Sequence, residues 1–270
     1  MKIKFFSIAV LLALFSSSLS FVQGKTKPML KEETILYIAE GVTLKGFVVY
    51  DESKSGKLPV VLVVHEWWGL NDYAKNRARQ LAGLGYFAMA VDMYGGGKTA
   101  SNPQQAQDMA TPFYQNPKLS KIRLDAALNK IKEFKQADSK NVAAIGYCFG
   151  GSVVLNSAKL GADLKGVVSF HGGLAGVNAD KKLLKAKILV CHGASDKFVT
   201  EKDVTNFKHE LDSIGADYTF KSYANATHAF TNPDATITGK QFNMPIEYNE
   251  AADKASWKDM EDFLKILFKK

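Results

Sequence analysis

Val142-Ala143-Ala144-Ile145-Gly146-Tyr147-Cys148-Phe149-Gly150-Gly151 is the stretch on which the reading of this chain turns. Asn141 to Tyr147 has the apolar character of a buried strand. Gly150 to Leu160, a run of mostly small and apolar residues, has that of a buried helix. Between them lies Gly-x-Cys-x-Gly. A cysteine there sits on a sharp strand-to-helix turn above the edge of a sheet, and the flanking glycines let strand and helix approach closely. The helix N-terminus adds partial positive charge, which favours a thiolate and a developing oxyanion. A pentapeptide of this kind occurs by chance; the strand–turn–helix context gives it weight.

Working outward, Leu58 to Val64 is a continuous apolar run, as a strand covered on both faces requires. Two β-type runs split by Glu40-Gly41 precede it over Leu36 to Tyr50 and predict a hairpin at a sheet edge. Asn71 caps a helix to about Leu84, and Tyr86 to Asp92 is the next strand. The Gly/Asn/Pro/Gln-rich segment from Tyr94 to Pro117 reads as loose. Helical spacing then runs from Lys118 to Gln136. Beyond the cysteine come strands at Leu164–Phe170 and Ala186–Cys191, a helix at Glu201–Ile214, a strand at Tyr218–Tyr223 and a helix around Glu250–Phe268. Strands alternating with helices predict an α/β fold with a mostly parallel central sheet and helices on both faces. Active residues then belong in loops at the carboxyl ends of the strands.

The 270 residues are 46% hydrophobic and 23% charged, an ordinary globular composition that excludes a disordered or disulfide-framework chain. The net charge of +8 is spread as lysine along the chain, and the arginines are Arg77, Arg79 and Arg123. Nucleic-acid binders gather basic residues on one face, so no nucleic-acid partner is expected. Met1 to Gly24 reads as a signal peptide: Lys2 and Lys4, an apolar run from Phe5 to Phe15, then small residues. The run is too short to span a bilayer. The expectation is an exported protein, periplasmic or secreted and free of the membrane once processed. Residues 25–270 would form one domain, a monomer or small homo-oligomer.

The chemistry of a thiol nucleophile needs a base beside it, and the base needs a carboxylate to fix its tautomer. Asp196, in His192-Gly193-Ala194-Ser195-Asp196, follows one predicted strand, and His228, in Ala226-Thr227-His228-Ala229-Phe230, follows the next. The order is nucleophile, acid, histidine, as this architecture uses it. Each residue alone also reads as a turn or loop residue; the three in register point to catalysis.

These residues and others resemble the dienelactone hydrolase family of the α/β-hydrolase fold, over essentially the whole mature chain. The matching pieces besides the elbow are His65-Glu66-Trp67-Trp68-Gly69-Leu70, Asp92-Met93-Tyr94-Gly95-Gly96, His228-Ala229-Phe230-Thr231-Asn232-Pro233 and the tail Tyr248-Asn249-Glu250-Ala251-Ala252-Asp253 through Ser256-Trp257. The resemblance implies a Cys148–His228–Asp196 triad, with Glu66 contacting the thiol and helping to deliver it as thiolate when substrate binds. It also implies an oxyanion hole formed by the N–H groups of Phe149 and Trp67. The best-known members hold a substrate carboxylate with two arginines, one after the Asp92 strand and one after the histidine. Here those places offer Gly95, Gly96, Gly97 and Lys98, then Thr231, Asn232 and Pro233. Ester hydrolysis is therefore the firmer expectation and a dienelactone the weaker one. Thioesters, acetylated sugars, or a weakly active binding protein on the same fold remain as alternatives.

Trp68, Tyr94, Lys98, His171 and Phe230 are the expected pocket residues, His171 serving equally well as a structural hydrogen-bonder. His65 reads as structural and His209 as solvated. His65-Glu66-Trp67-Trp68-Gly69 is no zinc helix, since its fifth residue is glycine and it follows a strand. No metal or cofactor is required. The Cys191 and Cys148 strands should have another between them, two strand spacings or roughly 10 Å, which exceeds disulfide reach. A small-molecule ester or lactone is the expected partner.

Overall fold

The computed structural model describes residues 27–269 together with Ile3; apart from Ile3, the expected signal peptide lies outside the described residues. In chain order the first elements are β1 (Leu30–Ala39), β2 (Val42–Asp51), β3 (Leu58–Val64), α1 (Asp72–Gly83), β4 (Phe87–Val91), α2 (Pro103–Gln115) and α3 (Lys118–Ile131). Then come β5 (Ala137–Tyr147), α4 (Phe149–Lys159), β6 (Gly166–Phe170), β7 (Lys187–Gly193), α5 (Glu201–Ile214), β8 (Tyr218–Tyr223), α6 (Ala235–Phe242) and α7 (Glu250–Leu267). The strands form one sheet in the order β1-β2-β4-β3-β5-β6-β7-β8.

β3 lies inside the sheet, parallel to β4 on one side and β5 on the other. Its residues alternate between two cores: Val60, Leu62 and Val64 face one, Val61 and Val63 the other. That is why the run has no polar position. β6, β7 and β8 extend the parallel block. On the far side β2 runs antiparallel to β4 and pairs with β1 in the expected hairpin. Its turn places Glu40 and Gly41 at positive φ (47° and 75°), a conformation glycine adopts freely.

One face of the sheet is covered by α1, through Ala74, Ala78 and Leu81, and by α7, through Met260 and Leu264. The other carries α2 to α5, with Phe113, Leu124, Val154 and Phe207 among the buried contacts. Caps set the helix starts. The Asn71 side chain accepts from the Ala74 N–H at the start of α1, and Thr200 and Asp203 form a reciprocal capping box at the start of α5.

Two helices depart from the sequence expectation. The supposedly loose Tyr94–Pro117 segment contains α2, opened by Asn102 as cap and Pro103 in its first turn. Its Ala106, Ala110 and Phe113 form a buried face, although Pro112 and four polar residues among the first six dilute the pattern. The eight-residue α6 follows the His228 loop.

Two of the family-like motifs away from the cysteine are structural fasteners. The buried Asp92 carboxylate accepts the N–H groups of Lys45, Tyr94, Gly95 and Gly97, folding the glycine turn. In the tail, Asp253 pairs with the buried Arg77 at 2.5 Å, and Arg77 also donates to the Thr231 carbonyl at 2.7 Å. The guanidinium packs against the rings of Tyr73, Tyr147 and Trp257, so one arginine ties α1, β5, the His228 loop and α7 together.

The chain leaves β3 for β4 on one side and later returns to β5 on the other. The carboxyl ends of β3 and β5 therefore border a topological switch point, where α/β sheets open a crevice.

Candidate active site

Cys148 occupies the turn between β5 and α4 at φ 51°, ψ −113°, a backbone conformation strained for any residue with a side chain. The neighbouring glycines are obligatory. A Cβ on Gly146 would lie 2.0 Å from the Gly150 carbonyl oxygen, and one on Gly150 would lie 2.4 Å from that of Val64. The Cys148 N–H donates to the Phe170 carbonyl at 3.0 Å and to His171 Nδ1 at 3.1 Å. His171 (φ 41°) and Ala229 (φ 57°) are strained in the same sense, so three such residues gather at one sheet edge. Backbone strain held by surrounding structure is a mark of functional sites.

His228 and Asp196 reach the same point from the loops after β8 and β7. His228 Nε2 lies 3.0 Å from Cys148 Sγ, and His228 Nδ1 lies 2.8 Å from Asp196 Oδ2. The other Asp196 oxygen accepts the Phe198 N–H at 2.8 Å, which fixes the carboxylate. Burial pulls the His228 pKa down, but the adjacent Cys148 sulfur and Asp196 more than offset it and hold the imidazole well above its ordinary range.

Glu66, just after β3, is 3% exposed. Burial pushes its pKa up to about 7, against the opposing pull of a 2.7 Å hydrogen bond from Asn232 Nδ2 to its Oε2 and of the nearby His228 and Arg77. The Glu66 carboxyl makes its hydrogen bond with Asn232, four residues beyond His228, while the thiol is paired with His228. Glu66 and Cys148 nevertheless line one cavity. The Phe149 N–H, first in α4, and the Trp67 N–H have no backbone acceptor among the described residues. Both remain available to a ligand.

The cavity measures about 370 Å³. Trp67 and Trp68 wall it after β3, Phe149 and Ser152 on α4, and Gln107 and Tyr114 on α2. Phe198 and Val199 close it from the β7–α5 loop, with Ala229, Met244 and Ile246 from the segments around α6. Of the five expected pocket residues only Trp68 lines it. Tyr94 stands behind the wall, its hydroxyl donating to the Trp67 carbonyl at 3.0 Å and its ring against Phe149. Lys98 borders a separate surface cleft with Asp108 and Met109. Phe230 is fully buried in the core, and His171 is buried behind Cys148. Glycine turns and core packing turn these side chains away from the opening.

The residues sequence reasoning missed come mostly from the two unexpected helices and their flanks: Gln107, Tyr114, Met244 and Ile246. A start signal for α2, Asn102-Pro103, was present. The partnership of Asn232 with Glu66 joins positions 166 apart and had no local signal. His65 is structural as expected, its Nδ1 bonded to the Glu66 carbonyl at 2.5 Å, and burial lowers its pKa to about 4. His209 is exposed. Cys148 and Cys191 are free thiols with β6 between their strands, and Cys191 is buried.

A mostly parallel sheet under helices, a strained cysteine elbow and a histidine–carboxylate pair at the strand ends define a hydrolase of the α/β-hydrolase fold. Comparison with known proteins narrows this: the Dienelactone hydrolase family matches residues 44–268, and the chain belongs to that family. It is a hydrolase of the carboxylic-ester class. It is 33% identical to a solved structure described as the dienelactone hydrolase-like promiscuous phosphotriesterase P91 from metagenomic libraries. The TM-score is 0.84, over 89% of this chain and 99% of that one. Protein usf of Aquifex pyrophilus is 31% identical over 71% of this chain and 84% of its own length. Protein K02A2.1 of Caenorhabditis elegans is 35% identical over 57% of this chain and 97% of its own.

Proposed function

We propose that this chain is an exported cysteine-nucleophile hydrolase of small carboxylic esters or lactones, working through Cys148, His228 and Asp196 and an acyl-enzyme. The observation that carries the reading is the continuous contact from Sγ through imidazole to carboxylate, 3.0 Å and 2.8 Å, at the wall of a cavity that Phe149 and Trp67 also line. Removal of residues 1–24 on export and a single mature domain belong to the same reading.

In the first half-reaction the thiol proton resides on His228 Nε2, the thiolate Sγ bonds to the carbonyl carbon, and the C=O electron pair moves to oxygen. The Phe149 and Trp67 N–H groups hold that oxyanion. When it collapses, the C–O bond to the alcohol breaks and His228 returns its proton to the leaving oxygen. Water then enters, gives a proton to His228 and attacks the thioester; the C–S bond breaks and the thiolate is regained with the proton on His228. Asp196 fixes the Nδ1–H tautomer and stabilises imidazolium throughout. Glu66, with one oxygen held by Asn232, borders the same cavity as the sulfur and is placed to assist its ionisation when substrate binds. The cavity would also receive an uncharged phosphotriester, the substrate type named for P91.

Hydrolysis of 4-nitrophenyl acetate by wild type, Cys148→Ala and His228→Ala tests the assignment. Each substitution should lower kcat/KM by about a thousandfold or more. Activity retained in well-folded Cys148→Ala would remove the nucleophile assignment.

A further inference from the structure

The walls of the cavity are built almost wholly from uncharged groups, and the one buried ionisable wall residue besides the reacting pair is acidic. Among the described residues no lysine or arginine lines it. Arg77 is buried behind the site and committed to Asp253. Lys98 borders a different cleft, and Lys197, beside Asp196 in sequence, is exposed and outside the lining. The polar wall groups are largely spoken for. Ser152 Oγ donates to the Gly173 carbonyl at 3.1 Å, and Gln107 Nε2 donates to Thr111 Oγ1 at 3.0 Å. Glu66 faces the same space with one oxygen held by Asn232.

A carboxylate entering this space would shed its hydration, meet no cation and approach the Glu66 carboxyl. Each of these costs free energy, because a buried charge is tolerated only when paired. An uncharged ester meets none of these penalties and gains the aromatic and aliphatic walls of Trp67, Tyr114, Phe198 and Ile246.

We infer that the substrates are uncharged esters with an apolar acyl arm, and that the cavity rejects esters whose acyl arm carries a carboxylate. This rests on the hydrolase reading above and names the substrate class of the same site.

The test compares three 4-nitrophenyl esters of one chain length: the hexanoate, the monoester of adipic acid, and the methyl ester of that monoester. The second adds a charge, and the third adds comparable bulk without it. Rates are measured on wild type, Cys148→Ala and Gln107→Arg, the Cys148→Ala rate being subtracted as background. The adipate monoester should have a kcat/KM about a hundredfold below the hexanoate, with its methyl ester within about tenfold of the hexanoate. Gln107→Arg, which places a cation on the α2 wall, should narrow the charge penalty by about tenfold or more. Comparable Cys148-dependent rates for the monoester and hexanoate would overturn the inference while leaving the hydrolase reading intact. An equal penalty for the methyl ester, or no narrowing in Gln107→Arg, would also overturn it. No Cys148-dependent cleavage of any of the three would remove both.

Discussion

His171 is a buried histidine whose hydrogen bonds define its tautomer. Its Nδ1 accepts the Cys148 N–H, so the ring proton is on Nε2, which donates to Thr231 Oγ1 at 2.7 Å. Burial, then the neighbouring His228 and Arg77, hold its pKa well below the ordinary range, in keeping with a neutral ring. Because Thr231 lies three residues after His228, this one imidazole couples the Cys148 turn to the His228 loop. On the proposed reading it is a positioning residue. His171→Phe should lower kcat about thirtyfold with KM changed by less than about threefold, as expected when geometry and not substrate affinity is lost. His171→Asn, whose Oδ1 can take the Nδ1 place, should recover most of that loss. A proportional rise in KM, with no recovery in the asparagine variant, would assign His171 to substrate binding instead.

At the level of elements, the cysteine turn depends on two glycines more than on any contact of its own. Gly150→Ala should cost about 3 kcal/mol of stability, because the new methyl meets the backbone oxygens of Val64 and His65 and neither can yield. Denaturant unfolding would measure it, and a loss below about 1 kcal/mol would show that α4 can shift away from β3. This turn was legible in the sequence because its demands are local: glycine spacing, a β run before and a small-residue helix after. α5 and β8 appear with the boundaries their caps and alternation predict. α2 and α6 were illegible for physical reasons. α6 is eight residues long with two buried, and α2 carries an internal proline and a polar-rich first half. Their stability comes from tertiary docking, which no window of sequence reports. The pocket's real lining was hidden with them, whereas the meeting of Cys148, Asp196 and His228 followed from strand ends alone.

For the whole molecule, the buried ionisable groups oppose one another in pH. Glu66 has its folded pKa raised to about 7 from an ordinary 4.5, so the native state holds its proton more tightly than the unfolded chain does. Its contribution is fully present below about pH 4.5 and is lost as pH rises to about 7. His65, lowered from 6.5 to about 4, acts in the other direction: the unfolded chain takes up the proton first, and stability falls as pH drops from 6.5 toward 4. His171 has the same sign. Glu66→Gln should therefore be more stable than wild type at pH 8, by up to about 3 kcal/mol, and gain little at pH 4.5. Thermal unfolding of both proteins across that range checks this; an equal difference at both ends would mean that Glu66 does not titrate between them.

The arrangement of the two sulfurs has a practical consequence. Cys191 is sealed inside the sheet beneath the Tyr223 hydroxyl, while Cys148 opens onto the cavity. An intact folded molecule thus presents one thiol to a small electrophile, and its unfolded form presents two. A gentle alkylating titration of a native preparation therefore counts competent copies, and those whose exposed sulfur has been spoiled by peroxide drop out of the tally.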